Sequence, residues 1–233
     1  VFSGNAHQFY MRSTILKGGL LLSIAITLCI SCSKDDDQVV DAIIIDEDNV
    51  VTKDLILDWN ELWLELDQNA FGMRPTATAR SLAYIHLAAY ETAVPDMKDY
   101  TSNVGRLEGL SIDSNIREDF IHLDIALNSC YARVIDHFMY TLSPDMSSKI
   151  EELARAKENE LSEGISQAVI QNSKDWGRYV ASQIIRYSRT DIAAEEQIYD
   201  PQPSSYEPPV AEGYWTYSAE EERGLVPYWS SVR

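Results

Sequence analysis

Apolar residues recur at steps of three and four residues along most of the chain after residue 52. Trp59, Leu62, Trp63 and Leu66 form the first such stripe, and this spacing places apolar side chains along one face of a helix. No stretch alternates with period two between turn residues, so the sequence predicts an all-α fold, a portion of a helical bundle. The periodicity predicts about five helices, over residues 53–68, 75–94, 116–140, 144–161 and 176–189.

Capping residues mark several of these predicted helix ends. Pro75 can occupy the first turn of the second helix. Ser143-Pro144-Asp145 combines an N-cap serine, a proline at the first helical position and an acid near the positive end of the helix dipole. Gly164 leaves two alternatives: it caps the fourth helix, or the helical pattern continues through Ala168 and Ile170.

The composition changes after Asp191. Prolines at 201, 203, 208 and 209 and many aromatic residues follow, which predicts an irregular, extended segment as far as Arg233. Such a segment has to lie on another surface to be ordered, and the stretch 206–229 has no evident partner within the chain. Residues 53–233 are therefore predicted to be a helical domain that ends in an irregular proline- and aromatic-rich carboxyl segment.

Residues 1–31 have the pattern of an export signal with some upstream residues. A short basic region with Arg12 and Lys17 precedes an apolar stretch of about 13 residues, 18–30. A membrane-spanning helix needs roughly 20 apolar residues, so a cleaved signal is predicted. The small residue before Cys32 resembles the lipobox of bacterial lipoproteins, in which the signal is removed and the cysteine carries the lipid. The alternative is an ordinary cleaved signal with a chance cysteine.

Residues 32–52 form an acidic stretch, which predicts a tether between the anchor and the domain. Asp46-Glu47-Asp48-Asn49 could suggest calcium, but the glycine and the distal glutamate of a calcium loop are missing. Lys34 and the three aspartates after it resemble the acidic export signal of Gram-negative surface lipoproteins. That resemblance implies a lipid-anchored protein of the cell envelope, in the outer membrane and exposed at the surface.

The charge of the chain limits its possible binding partners, and its cysteines limit its possible disulfides. The 233 residues include 19 Lys and Arg against 37 Asp and Glu, which gives a net charge of −18. Such a chain is repelled by the phosphate backbone, which argues against nucleic acid as a partner. The membrane is a predicted partner through the lipid anchor on Cys32. Cys29 leaves with the signal and Cys32 carries the lipid, so Cys130 is the remaining thiol and no intrachain disulfide is expected.

Candidate metal ligands are few. Glu118 and His122 are one helical turn apart and Asp136 precedes His137, so a carboxylate–histidine site between helices can be drawn. The Glu-x-x-His repeats of di-iron bundles and the His-Glu-x-x-His of zinc enzymes do not occur in the sequence. The sequence therefore favours core or half-buried histidines, His86 included, and predicts no metal site.

Motifs for nucleophiles and phosphate binding are also missing. The sequence contains no Gly-x-Ser-x-Gly and no glycine-rich phosphate loop. Ser31-Cys32-Ser33-Lys34 matches Ser-x-x-Lys, but it spans the predicted cleavage point. Cys130 lies on an apolar face and is predicted to be a small core residue. The residues alone therefore predict no catalytic, cofactor-binding or metal-binding residue, and Cys32 as the lipid anchor is the single predicted site.

Four stretches nevertheless carry a family pattern. Gly177-Arg178-Tyr179-Val180-Ala181, Gly213-Tyr214-Trp215 and Pro227-Tyr228-Trp229 are similar to the Gly-x-x-Val-Ala helix, the Gly-x-Trp and the Pro-x-Trp of bacterial vanadium-dependent haloperoxidase-related proteins. These proteins are relatives of the type 2 phosphatidic acid phosphatases. The pieces follow in the family's order across residues 53–233. The stretch from residue 75 to residue 93 resembles an early helix of the same family. The matching positions are Pro75, Ala79-Arg80 and His86-Leu87-Ala88-Ala89-Tyr90-Glu91-Thr92-Ala93.

This resemblance implies the scaffold of such a protein rather than its chemistry. In that family, vanadate or phosphate is held by later motifs: a Lys with Arg-Pro, a Ser-Gly-His, and an Arg followed by His. None of them occurs in this chain. An oxyanion needs several arginine, lysine and backbone donors, together with a histidine that binds the metal or attacks phosphorus.

Two expectations follow. In the first, the chain is the inactive amino-terminal part of a longer protein whose missing carboxyl-terminal half holds vanadate or phosphate. The full-length form would then oxidise halide with peroxide or hydrolyse phosphate esters. In the second, the chain is a complete, non-catalytic helical surface lipoprotein that binds a ligand or a partner.

Overall fold

The computed structural model describes residues 47–72, 75–219 and 222–233. The predicted export signal, Cys32 and most of the predicted tether lie outside these residues. The described residues form six α-helices and no β-strand, which confirms the predicted all-α fold. The helices are α1 (Glu47–Asn69), α2 (Pro75–Ala93), α3 (Leu123–Phe138), α4 (Pro144–Leu161), α5 (Gln167–Ser188) and α6 (Ile192–Tyr199).

Helix α3 lies at the centre of the bundle and packs against α2, α4 and α5. Burying a large aliphatic or aromatic side chain contributes roughly 1.5–3 kcal/mol, so the inner face of α3 is a main source of stability. That face is fully enclosed and consists of Ile125, Ala126, Leu127, Cys130, Tyr131, Val134 and Ile135.

Helix α1 reaches the core through its large side chains. Trp59 is fully buried, and its ring stacks on that of Tyr131 with 6.0 Å between the centroids. Its indole Nε1 donates a hydrogen bond of 3.1 Å to Oδ1 of Asn128, whose Nδ2 donates to the carbonyl oxygen of Ala154 at 2.8 Å. The Asn128 amide therefore joins α1, α3 and α4.

A glycine allows α3 and α5 to approach each other closely. A β-carbon at Gly177 would lie 2.0 Å from the carbonyl oxygen of Ala126, so any larger residue would push the helices apart. The neighbouring Trp176 is buried, and its Nε1 donates to the carbonyl oxygen of Thr92 in α2 at 3.0 Å. Residues 176 and 177 thus fix α5 against both α2 and α3.

Helix α3 begins at Leu123, so the prediction of one helix over 116–140 is wrong at its beginning. A single 3-10 turn comes first, capped by the carboxylate of Asp113. His122 then has an extended backbone, and its N–H donates to a serine hydroxyl of α5 at 2.7 Å. Phe120, which falls within the predicted helix 116–140, is exposed in the loop.

A sixth helix lies where an irregular segment was predicted. Helix α6 begins directly after Asp191, whose carboxylate accepts a hydrogen bond from the N–H of Ala194 and caps the helix. The described residues between Tyr199 and Trp229 contain no further helix, and the prediction of an irregular segment holds for them. The helical part of the chain therefore includes one short helix, α6, beyond the predicted last helix.

Two other helix ends bear on the predictions. Helix α1 begins at Glu47 rather than at residue 53, so the last residues of the predicted tether are helical. Helix α4 ends at Leu161, and Gly164 has a φ of 76°, a left-handed conformation that favours glycine after a helix. Of the two alternatives at this position, the helix end near Gly164 is the observed one, and Ser166 then caps α5.

Candidate functional site

An open groove of about 680 Å³ lies between the first half of α2, the end of α5 and the last residues of the chain. This volume falls within the range of about 300–1,000 Å³ that small-molecule sites usually have. Arg80 and Arg233 are the charged residues of its wall, and the wall has no acidic residue within the described part of the chain. The rest of the wall is mostly apolar and includes Ala79, Ala83, Tyr84, Leu87, Leu107, Tyr187, Trp229 and Val232.

Arg80 is held rigidly in the floor of this groove. Its side chain is 6% exposed, and its Nη2 donates to the carbonyl oxygen of Ser188 at 2.8 Å. The same nitrogen forms an ion pair with Oε1 of Glu195 at 3.3 Å, and the guanidinium carbon lies 4.9 Å from the centre of the Tyr84 ring. Arg80 therefore connects α2, the end of α5 and α6.

Arg233 closes the groove on the opposite side. Its guanidinium carbon lies 3.9 Å above the ring of Tyr187, and its Nη2 donates to the Tyr187 carbonyl oxygen at 2.8 Å. The side chain also donates to the hydroxyls of Thr190 at 3.0 Å and Tyr84 at 3.4 Å. Its backbone N–H donates to Oδ2 of Asp191 at 3.0 Å. Tyr84 thus lies between two guanidinium groups, with Arg80 near its ring and Arg233 at its hydroxyl.

Two polar atoms of the groove wall have no hydrogen-bond partner among the residues that the structure describes. They are Nε of Arg80 and Oγ1 of Thr76, and both are shielded from solvent. Buried polar atoms are nearly always paired with protein or water. Unpaired donors at a groove therefore indicate positions where a water or ligand oxygen can be accommodated.

Residues in the stretches that resemble the family hold helices and a loop of the fold together. Arg80 joins three helices, and Trp176 and Gly177 fix α5, as described above. Glu91 is 2% exposed, and its carboxylate accepts hydrogen bonds from the loop after α2. The donors are Oγ of Ser102 at 2.6 Å and both the backbone N and Nδ2 of Asn103 at 2.8 and 2.9 Å.

The carboxyl segment packs on the chain at its end and is exposed in its middle. The backbone N–H of Tyr228 donates to Oε1 of Gln197 in α6 at 2.7 Å, and Trp229 lines the groove. The expectation that residues 206–229 have no partner within the chain is therefore wrong for the last of them. By contrast, Val210 and Trp215 are 92% and 48% exposed.

The histidines and carboxylates considered as metal ligands are not brought together. His122 precedes the first turn of α3 and His137 lies in its last turn, about 22 Å away along the helix axis. Glu118 and Asp136 are exposed. Among the described residues no group of three His, Cys, Asp or Glu could hold a metal ion. The expectation of core or half-buried histidines is wrong for His86, which is exposed on α2, and holds for His122 and His137, which are half-buried.

Cys130 is enclosed in the core, as predicted, and burial raises the pKa of its thiol to about 12. A thiol with so high a pKa is almost entirely protonated at neutral pH and is a poor nucleophile.

None of the described helices is long and apolar enough to cross a membrane.

The sequence prediction did not identify the groove. Tyr187 falls within the predicted helix 176–189, and the sequence indicates no role for Arg233 beyond the end of the irregular segment. Arg80 was identified through the family pattern, without its partners at Ser188 and Glu195. No local sequence signal links Arg80 with Arg233, because the two come together only once the fold places the end of the chain beside α2.

Comparisons of the chain with protein-family models, with curated proteins and with solved structures find no match. The functional interpretation therefore rests on the geometry of the site and on the sequence pattern.

Proposed function

We propose that residues 53–233 are the amino-terminal scaffold of a membrane-anchored protein related to vanadium haloperoxidases and type 2 phosphatidic acid phosphatases. One observation carries the proposal: residues of the family pattern hold the helices together. Arg80 connects α2, α5 and α6, Gly177 allows α3 and α5 to touch, and Glu91 fixes the loop after α2. Residues that hold a scaffold together are expected in every protein that shares that scaffold.

Vanadate or phosphate does not fit the groove described above. Such an anion needs several convergent cationic and backbone donors, and a histidine for the metal bond or the attack on phosphorus. The groove wall has two arginines and no histidine, and Arg80 is already bonded to Ser188 and Glu195. We therefore derive no step of halide oxidation or phosphoryl transfer for these residues, and the proposal assigns that chemistry to the carboxyl-terminal part of a longer product.

Activity measurements test this proposal. The 233-residue chain and the product of the same reading frame extended downstream are assayed for vanadate-dependent bromide oxidation and for hydrolysis of p-nitrophenyl phosphate. We expect no turnover and no stoichiometric vanadate binding for the 233-residue chain, and one of the two activities for the extended product. A stop codon directly after Arg233, or a stoichiometric vanadate site in the shorter chain, would contradict the proposal.

The proposal includes a lipid anchor on Cys32 in the outer membrane. It is supported by the short apolar stretch before Ser31-Cys32 and by the acidic run after it. Metabolic labelling with an alkyne fatty acid in a Gram-negative host tests it directly. Cys32→Ser is expected to abolish the label and the membrane association, whereas the matched variants Cys29→Ser and Cys130→Ser keep both. Equal labelling of all three variants would contradict the anchor.

A second candidate function is a non-catalytic lipoprotein that binds a ligand. The observation that favours it is the groove itself, whose wall is completed by Trp229, Val232 and Arg233 of the same chain. In this case the described helices are a binding domain in their own right. The two candidates differ in the activity of the extended product, which only the first requires.

A further inference from the structure

The groove differs in charge from the rest of the protein. The chain has 37 acidic against 19 basic residues, yet both charged residues of the groove wall are arginines. Glu195 forms an ion pair with Arg80, and Asp191 accepts a hydrogen bond from the backbone N–H of Arg233, while the side-chain hydrogen bonds of Arg233 go to neutral oxygens of Thr190, Tyr84 and Tyr187. An anion approaching this chain is repelled by most of the acidic surface, and Arg233 offers it an accessible cationic group at the groove.

The remainder of the wall is apolar. Ala79, Ala83 and Leu87 follow one face of α2, and Trp229 and Val232 face them from the end of the chain. From Ala79 to Leu87 this face spans eight residue steps, about 12 Å along the helix axis. Hydrocarbon gains about 0.8 kcal/mol for each methylene group that is transferred out of water, so such a surface favours an extended alkyl chain.

Unpaired donors lie where the apolar wall meets the arginines. Nε of Arg80 and Oγ1 of Thr76 have no partner within the described residues, and the Arg80 side chain is more than nine-tenths buried. Both atoms are shielded and Arg80 is held by Ser188 and Glu195, so the exposed side chain of Arg233 is the donor that a ligand in the groove reaches. The groove thus combines a hydrocarbon-binding surface with donors for one anionic group.

We propose that this groove binds a fatty acid, with the alkyl chain along the apolar face of α2 and the carboxylate at Arg233. A carboxylate matches the planar donor array of a guanidinium and forms a charge-assisted hydrogen bond there. The inference gives a ligand class to the second candidate function and rests on the groove alone. The activity assays of the first candidate can therefore fail or succeed independently of it.

Isothermal titration of the purified 233-residue chain with dodecanoate, below its micelle concentration, tests the proposal. We expect one site, with dodecanol and dodecyltrimethylammonium binding at least about tenfold more weakly, because a hydrogen bond to a charged group contributes roughly 1.5–3 kcal/mol. Equal binding of dodecanoate and dodecanol would overturn the assignment of the carboxylate to Arg233. Binding to phosphatidylglycerol vesicles without binding of monomeric dodecanoate would replace the fatty acid with a membrane surface and also overturn it.

Two variants locate the site. Ala83→Trp fills the groove from an exposed position and is expected to abolish dodecanoate binding, while Arg233→Gln is expected to weaken it about tenfold or more. Arg155→Gln, an exposed arginine of α4 outside the groove, is the matched control and should bind as the unaltered chain does. Thermal unfolding verifies that each variant is folded. Unchanged binding by folded Ala83→Trp would place the ligand elsewhere, for example at the apolar stretch 18–30, and overturn the proposal.

Discussion

Gly177 of α5 lies so close to Ala126 of α3 that a β-carbon on the glycine would stand 2.0 Å from the alanine carbonyl oxygen. The contact is to backbone, which cannot move aside as the end of a flexible side chain can. The separation of these two helices is therefore set by the absence of one methyl group.

Gly177→Ala is expected to destabilise the protein even though alanine favours helix formation. Overpacking of a tight core costs about 1–3 kcal/mol, and we expect a loss near the upper end of this range because a helix must shift. Urea unfolding measures the change. Arg178→Ala, the exposed neighbour, is the control and should stay within about 0.5 kcal/mol of the unaltered chain. A stabilised Gly177→Ala variant would show that the helices are farther apart than described.

Asn128→Ala removes the amide that joins three helices. It leaves Nε1 of Trp59 and the carbonyl oxygen of Ala154 buried without their partner, and an unpaired buried group costs about 1–3 kcal/mol. We expect a loss of about 2 kcal/mol or more in urea unfolding. Combining it with Trp59→Phe, which has no N–H, should cost less than the sum of the two single changes. Strict additivity would contradict a direct interaction between the two side chains.

The thiol of Cys130 is expected to be unreactive in the folded protein. With a pKa raised to about 12 by burial, little thiolate is present at pH 8, and the reagent has no access to it. The measurement is the reaction with Ellman's reagent, in a Cys29→Ser/Cys32→Ser background so that one thiol is counted. We expect no reaction within minutes in buffer and one equivalent in 6 M guanidinium chloride. Rapid reaction of the folded chain would contradict the enclosed position.

His137 should make the stability of the domain depend on pH. Burial first, and then the charges of Arg189 and Arg133, lower the pKa of its imidazole from the ordinary value of 6.5; Asp136 acts in the opposite direction, and Arg80 adds to the lowering. The unfolded chain therefore binds the proton more readily than the folded chain does. The free energy of unfolding is expected to decrease as the pH falls below about 6.5, and to level off once the folded-state pKa is passed.

Unfolding by urea at pH 7.5, 6.5 and 5.5 measures this dependence. His137→Gln keeps a polar side chain but has no titrating group, so its stability should fall less over the same interval. Identical pH dependence in the variant and the unaltered chain would assign the effect to other groups.

Local patterns predicted the helices well where a cap and an apolar stripe coincide. The Ser143-Pro144-Asp145 start and the turn at Gly164 are both observed. The prediction failed at Phe120, because apolar residues of a loop happened to continue the period of α3. It also missed α6, because the following prolines outweighed the single capping signal of Asp191.

The groove could not be predicted in this way. Its two arginines are residues 80 and 233, and neither lies in a motif that refers to the other. They meet because α2 and the chain end both pack against the last turn of α5, at Tyr187 and Ser188. That relationship exists only in the folded chain, whereas the periodicity of a helix is present in the sequence itself.

The hydrogen bonds between Glu91 and the loop after α2 should respond little to salt. The donors to Glu91 are a hydroxyl and amides, all neutral and close to the core, so added electrolyte has little influence on that attachment. Helix α4, in contrast, is bound to α1 and α5 by partly exposed ion pairs, Lys157 with Asp58 and Lys174 with Glu158. Because 1 M salt reduces the screening length to about 3 Å, concentrated electrolyte should weaken these ion pairs of α4 more than it weakens the hydrogen bonds of Glu91.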